Sequence, residues 1–128
     1  MVEHATGAVL GIVEDNDSAR TAISRVLRAG GFEPALFESA EAFIEAPPTS
    51  GLLCLVVDVQ LSGMSGIDLQ SQLLCRGCTV QIIVMTAHRE EAIRDHAERN
   101  GCEAFLWKPF TADVLLQLIG SIERRPQS

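Results

Sequence analysis

Three acids and a lysine stand at the ends of apolar runs in this chain. Asp58 closes the run Leu-Leu-Cys-Leu-Val-Val at 52–57, Glu14 and Asp15 follow the run at 8–13, and Lys108 follows Ala-Phe-Leu-Trp at 104–107. Thr86 ends a further run, at 80–85. Carboxylates about 4 Å apart repel by roughly 4 kcal/mol per pair at an effective dielectric of about 20. Glu14, Asp15 and Asp58 therefore cannot share a cleft in ionised form unless a cation offsets that cost or one of them takes up a proton. Lys108 supplies one positive charge. A hard divalent ion supplies the rest, and Mg2+ (or Mn2+) suits a site with few carboxylates and places left for waters and phosphate oxygens. No His or Cys stands among these strand-end groups, which disfavours zinc. A carboxylate is also a nucleophile able to form an aspartyl phosphate. Thr86 and Lys108 would then hold phosphoryl oxygens while the metal neutralises charge in the transition state.

For these groups to meet, the apolar runs must be strands of one sheet. The run at 52–57 has no polar relief, the pattern of a strand buried on both faces under helices. Helical patterns lie between the runs. After the first, Ala19, Ala22, Ile23, Val26 and Leu27 share one face, with Asn16 or Asp17 as cap and Gly30-Gly31 as stop. Residues 32–37 read as a short second strand, and Ser39 caps a brief helix carrying Phe43 and Ile44, closed by Pro47-Pro48. Ser65-Gly-Ile-Asp68 opens a helix in the manner of a capping box, with Ile67, Leu69, Leu73 and Leu74 as its apolar side. A helix over 89–100, stopped by Gly101, has only Ala92, Ile93, His96 and Ala97 to dock with, and is expected to be the loosest. Thr111 caps the last helix, through Val114, Leu115, Leu118, Ile119 and Ile122. Five alternations predict an α/β, doubly wound, five-stranded parallel sheet with right-handed crossovers. The polar strand ends then converge on one edge, where open α/β sheets bind ligands.

At 128 residues the chain is expected to be one domain (1–128), with its core over about 8–123 and frayed ends at 1–7 and 124–128. Its composition, 47% hydrophobic and 21% charged, is that of a globular chain. No apolar stretch approaches the ~18 residues of a membrane span, and the N-terminus lacks a basic-then-apolar leader. The expectation is a cytoplasmic protein with no membrane partner. A net charge of −7 argues against direct nucleic-acid binding. Among four cysteines, Cys54 falls in a buried strand, while Cys75-Arg-Gly-Cys78 has redox or zinc spacing. No second CxxC or His pair completes a zinc set, and Gly77 as a C′ residue makes the pair a helix terminus carrying two thiols.

The segments Ile12-Val-Glu-Asp15, Val56-Val-Asp58, Gly63-Met-Ser-Gly66, Met85-Thr-Ala87 and Lys108-Pro-Phe110 resemble the receiver domain of two-component response regulators. They occur in the family's order and span nearly the whole chain, from about Val9 to Ile122, with most likeness to regulators of the nitrogen-fixation and nitrate type. The resemblance implies a flavodoxin-like (βα)5 fold with strand order 2-1-3-4-5. It implies that Asp58 takes a phosphoryl group from a sensor histidine kinase or phosphotransfer protein. Asp15, Asp58 and the Gln60 backbone carbonyl would ligate Mg2+, with Glu14 acting through a water. Thr86 would move to the phosphoryl oxygen, Lys108 would pair with it, and Ala87 would leave room for it. Phe105 takes the place of the aromatic switch residue, Gln60 and His88 the places that tune hydrolysis, and the Lys108–Pro109 peptide is expected cis. The resemblance also implies a phosphorylation-dependent homodimer through the fourth-helix, fifth-strand and fifth-helix face. Such a domain is a switch that catalyses only its own phosphorylation and dephosphorylation. One departure stands out. Ser62 replaces the proline common four residues after the acceptor, so a more mobile loop is expected. Trp107 is expected to cover core beside Lys108, with no functional role.

Three other readings stay open on the residues alone. A hydrolase with an Asp nucleophile would want a second carboxylate two residues after Asp58, where Gln60 stands. A redox or zinc module would rest on Cys75 and Cys78. A receiver-like module could bind a partner without using phosphate.

Overall fold

The computed structural model describes residues 7–45 and 51–124. Ten elements alternate along the chain: β1 (Val9–Val13), α1 (Asp17–Ala29), β2 (Glu33–Phe37), α2 (Ala40–Glu45), β3 (Leu52–Asp58), α3 (Gly66–Cys75), β4 (Ile82–Thr86), α4 (Glu91–Arg99), β5 (Ala104–Trp107) and α5 (Ala112–Glu123). All strand pairs are parallel and the sheet order is β2-β1-β3-β4-β5. This is the flavodoxin-like doubly wound architecture expected from the alternation.

The strands are apolar on both sides because the sheet is covered on both sides. Leu10 and Ile12, Cys54 and Val56, Ile83 and Met85 point to one core, filled by Ile23 and Leu27 of α1 and by Leu115, Ile119 and Ile122 of α5. The alternate residues Val13, Leu55, Val57 and Val84 point to the other, under Phe43, Ile67, Leu69 and Leu73. Period-two alternation thus feeds two separate cores from each central strand. Full burial of a Leu or Ile side chain contributes about 1.5–3 kcal/mol.

Helix starts follow the expected caps. Asn16, Ser65 and Thr111 each accept a backbone N–H three residues on, and Ser39 does the same for Ala42. Asp17 is therefore the first helical residue, not the cap, and pairs with Arg20. Pro47-Pro48 and the chain ends 1–6 and 125–128 lie outside the described residues. Arg124, expected in a frayed tail, instead closes α5, its N–H donating to the Gly120 carbonyl at 3.1 Å.

The helix α4 is shorter and more weakly docked than the sequence pattern proposes. Only Ala97 is buried and Ile93 half-buried, while Ala92 and His96 face solvent. Its N-cap, Glu90, makes no side-chain capping bond. Its other end is held by polar contacts to α3. The buried Gln70 amide donates to the Ala97 carbonyl at 2.9 Å, and the Asn100 amide donates to Ser71 Oγ at 2.9 Å.

One glycine is required by close approach. A Cβ on Gly66, the first residue of α3, would lie 2.3 Å from the Asp58 carbonyl oxygen. The obstacle is backbone and cannot rotate away. Gly66→Ala is expected to lower stability by about 1–3 kcal/mol through overpacking, read as a lower urea midpoint with an unchanged m-value.

Candidate functional site

The register of the sheet places the polar groups. Val13 is opposite Val57, Asp58 opposite Met85, and Thr86 opposite Trp107. Glu14, one residue past Val13, is therefore level with Asp58, and Lys108, one past Trp107, stands just beyond Thr86. The Lys108 N–H donates to the Thr86 carbonyl at 2.8 Å, which extends the ladder by one bond. The Lys108–Pro109 peptide is cis.

Lys108 Nζ sits 2.8 Å from Glu14 Oε1 and 2.7 Å from Asp58 Oδ2. Both acids are almost fully buried, at 1% and 5% exposure. The remaining oxygens are also engaged: Asn16 N–H donates to Glu14 Oε2 at 3.2 Å, and Gln60 N–H to Asp58 Oδ1 at 2.9 Å. Burial lifts the Glu14 carboxyl above its ordinary value, against the pull of Lys108 and the Asn16 N–H, and the Asp58 charge lifts it further. Burial works to lower Lys108, but its hydrogen bonds and charge contacts with Asp58 and Glu14 outweigh that and raise it. Removing Lys108 from this set would leave two buried carboxylates uncompensated, at a cost of about 3–5 kcal/mol, whereas without Glu14 the ammonium still pairs with Asp58.

Asp15 lies further out. Its Oδ2 accepts both the backbone N–H and the hydroxyl of Ser62, each at 3.0 Å. Burial would raise Asp15, but these two donors hold it below the ordinary carboxylate value. The loop after β3 is thus tied to the site by two bonds from the residue that stands in place of proline. Proline has neither an N–H nor a hydroxyl to offer, and serine supplies both. A further tether, Met64 N–H to Glu41 Oε2 at 2.9 Å, was not legible in the sequence.

Thr86 is fully buried, and its Oγ1 accepts the His88 N–H at 3.0 Å. The His88 side chain and Ala87 face solvent. Phe105, half-buried on β5, meets Trp107 edge-on with ring centroids 4.9 Å apart, and the Arg89 guanidinium lies 4.9 Å from the Trp107 ring centre. Trp107 is therefore more than cover for core: it links the loop after β4 to β5. An exposed cation–π contact of this kind contributes about 0.5–1 kcal/mol. An apolar groove of about 480 Å³ borders Lys108, running between Ala22 and Val26 of α1 and the Pro109-Phe110 segment.

The donors at this edge are carboxylate and carbonyl oxygens, which fit a hard cation. Among the described residues no three His, Cys, Asp or Glu side chains converge as a ready-made ligand set. At the CxxC, Cys75 is exposed and Cys78 half-buried, and Gly77 ends the helix at φ +73°. Cys54 is buried, which pushes its thiol up to about 12.

The family model of the response regulator receiver domain matches residues 10–120. The chain belongs to that family. This receiver is 32% identical over 123 residues to nodulation protein W of Bradyrhizobium diazoefficiens, covering 96% of this chain and 54% of that protein. It is 31% identical over 116 residues to the transcriptional regulatory protein FixJ of the same species, covering 91% of this chain and 57% of that protein. The crystal structure of FixJ-N matches with a TM-score of 0.84 at 28% identity, covering 94% of this chain and 96% of that one. The likeness to regulators of the nitrogen-fixation type holds. The receiver spans about half the length of the curated relatives it matches, and no helix among its described residues is long and apolar enough to cross a membrane.

The raised Glu14 carboxyl sets a pH dependence. A group raised in the folded state stabilises it while protonated, below its ordinary value of 4.5, and that contribution is lost as pH rises through the raised value. Glu14→Gln is accordingly expected to raise the thermal unfolding midpoint of metal-free protein at pH 7, with the gain shrinking on acidification towards pH 4.5. A midpoint lowered at pH 7 would show that the ion pair with Lys108 outweighs the burial of Glu14.

Proposed function

We propose that this chain is a single phosphoacceptor receiver domain, 1–128, in which Asp58 takes a phosphoryl group from a sensor histidine kinase or phosphotransfer protein. The observation that carries the reading is the Lys108 ammonium bridging Asp58 and Glu14 at the carboxyl edge of the sheet. A lysine raised by two buried acids at the ligand-binding edge of a sheet is the kind of perturbed group that marks a functional site. Family membership supports the phosphodonor and a cytoplasmic setting. The groove beside Lys108 offers an amphipathic helix of the donor a surface to lie on.

The chain's own residues divide the work. An Asp58 carboxylate oxygen forms the new O–P bond as the donor's N–P bond breaks, and the donor imidazole leaves with that electron pair. Lys108 shifts from Asp58 Oδ2 to a phosphoryl oxygen, and the Thr86 hydroxyl, now an acceptor from His88 N–H, donates to another. Ala87 leaves space beside them. Asp15, Asp58 and the Gln60 carbonyl would hold Mg2+, with Glu14 acting through a water, and the bound ion would supply neutralising charge for the transfer. Gln60 and His88, both exposed next to the site, set how readily water reaches the phosphoryl group, so that the domain catalyses its own dephosphorylation. Movement of Thr86 draws Phe105 inward. Phe105 has no hydroxyl, so its coupling rests on packing with Trp107 and the core under α4.

Acetyl phosphate with Mg2+ is expected to add one phosphoryl group, seen by intact-mass spectrometry. EDTA or Asp58→Asn should abolish it, and labelling that survives Asp58→Asn would sink the assignment. The same assay separates this reading from a module that binds partners without phosphate. On size-exclusion chromatography, beryllofluoride is expected to shift the receiver from monomer to dimer through the α4, β5 and α5 face, and an unchanged elution volume would remove the dimer from the proposal.

A further inference from the structure

The loop between β3 and α3 is fastened to three carboxylates, one at the end of β3, one in the loop after β1 and one on α2. Gln60 N–H donates to Asp58, Ser62 N–H and Oγ to Asp15, and Met64 N–H to Glu41 on α2. Backbone bonds close both ends of the loop, Val59 N–H to Met85 O at 2.9 Å and Gly66 N–H to Val59 O at 3.0 Å. Within this set the Ser62 contact is distinctive in chemistry. Both donors of one residue fall on a single oxygen, Oδ2, of an acid that lies 47 positions earlier in the chain.

We propose that Ser62 is a positioning residue for the divalent cation: by filling Oδ2 with two donors it fixes the Asp15 carboxylate and reserves Oδ1 for the ion. A carboxylate oxygen has two lone-pair sites. Two donors occupy those of Oδ2, so Asp15 presents a single oxygen as a monodentate ligand. The same two bonds draw charge from Asp15 before any cation arrives. Outer contacts that fix the orientation of a metal ligand are commonly worth 10- to 100-fold in affinity. Serine and threonine alone among small side chains offer both donors; alanine or glycine keeps only the N–H, and proline keeps neither. The Glu41 tether to Met64 N–H, two residues on, holds the loop where Ser62 reaches Asp15.

The inference rests on the reading that Asp15 is a ligand of Mg2+, and the test separates the two. Calorimetric titration of the full chain with MgCl2 is run on wild type, Ser62→Ala, Ser62→Thr, Ser62→Pro and Asp15→Asn, with thermal unfolding of each in EDTA alongside. Ser62→Ala is expected to weaken Mg2+ binding about 10-fold and Ser62→Pro on the order of 100-fold. Ser62→Thr should keep wild-type affinity, and the unfolding midpoints in EDTA should stay together. In 15N spectra of metal-free protein, the Ser62 amide should move on Asp15→Asn. If Ser62→Pro does not fold, Ser62→Ala against Ser62→Thr decides. Ser62→Ala binding Mg2+ as tightly as wild type, or more tightly, overturns the role of Ser62 while leaving the site intact. Wild type without saturable Mg2+ binding, or Asp15→Asn binding like wild type, overturns the metal site itself and Ser62's role with it.

Discussion

One ammonium group shared by two buried carboxylates organises this molecule. Lys108 lies 94 residues from Glu14 and 50 from Asp58, and both contacts are shorter than 3 Å. Such a meeting needs a sheet whose first, third and fifth strands end at the same level, which parallel pairing in the order β2-β1-β3-β4-β5 provides. Because β4 stands between β3 and β5, the lysine must reach across the end of a strand, over buried Thr86, to touch both acids. A long unbranched stem carrying a compact charge meets that demand. Burial of both acids limits the screening of the contact, although the lysine itself is a quarter exposed.

The rest of the edge follows the same rule, that negative charge is matched close at hand. Among the described residues no buried side-chain nitrogen or oxygen lacks a hydrogen-bond partner. Glu14 is matched by Lys108 and Asn16, Asp58 by Lys108 and Gln60, and Asp15 by Ser62. For Glu14 and Asp58 part of that matching is done by the backbone N–H two residues on.

Most of the architecture was legible in the chain because it is written in local patterns. Apolar runs at 8–13, 52–57, 80–85 and 104–107 mark the strands; Asn16, Ser39, Ser65 and Thr111 mark the helix starts; and the acids and Lys108 fall where the strands end. The less legible parts are those in which side chains meet across long sequence separations. Nothing near Ser62 announces Asp15, and nothing near Glu41 announces Met64. The absence of proline at residue 62 is visible as a departure, but its meaning depends on what lies opposite. The helical pattern over 89–100 promised Ala92 and His96 to the core, yet the helix turns them to solvent. Two small or polar side chains gain too little from burial to pull it closer, and Gln70 and Asn100 grip it from α3 instead.

That grip has a mechanical result. The hydrogen bonds from Gln70 and Asn100 sit at the carboxyl end of α4, around Ala97 and Asn100, while its amino end has an uncapped Glu90 and a single stacked arginine, Arg89, just before it. A rod pinned at one end swings instead of sliding. A shift of the segment that joins Thr86 to α4 would be taken up at the amino end of the helix, with the least travel at Asn100.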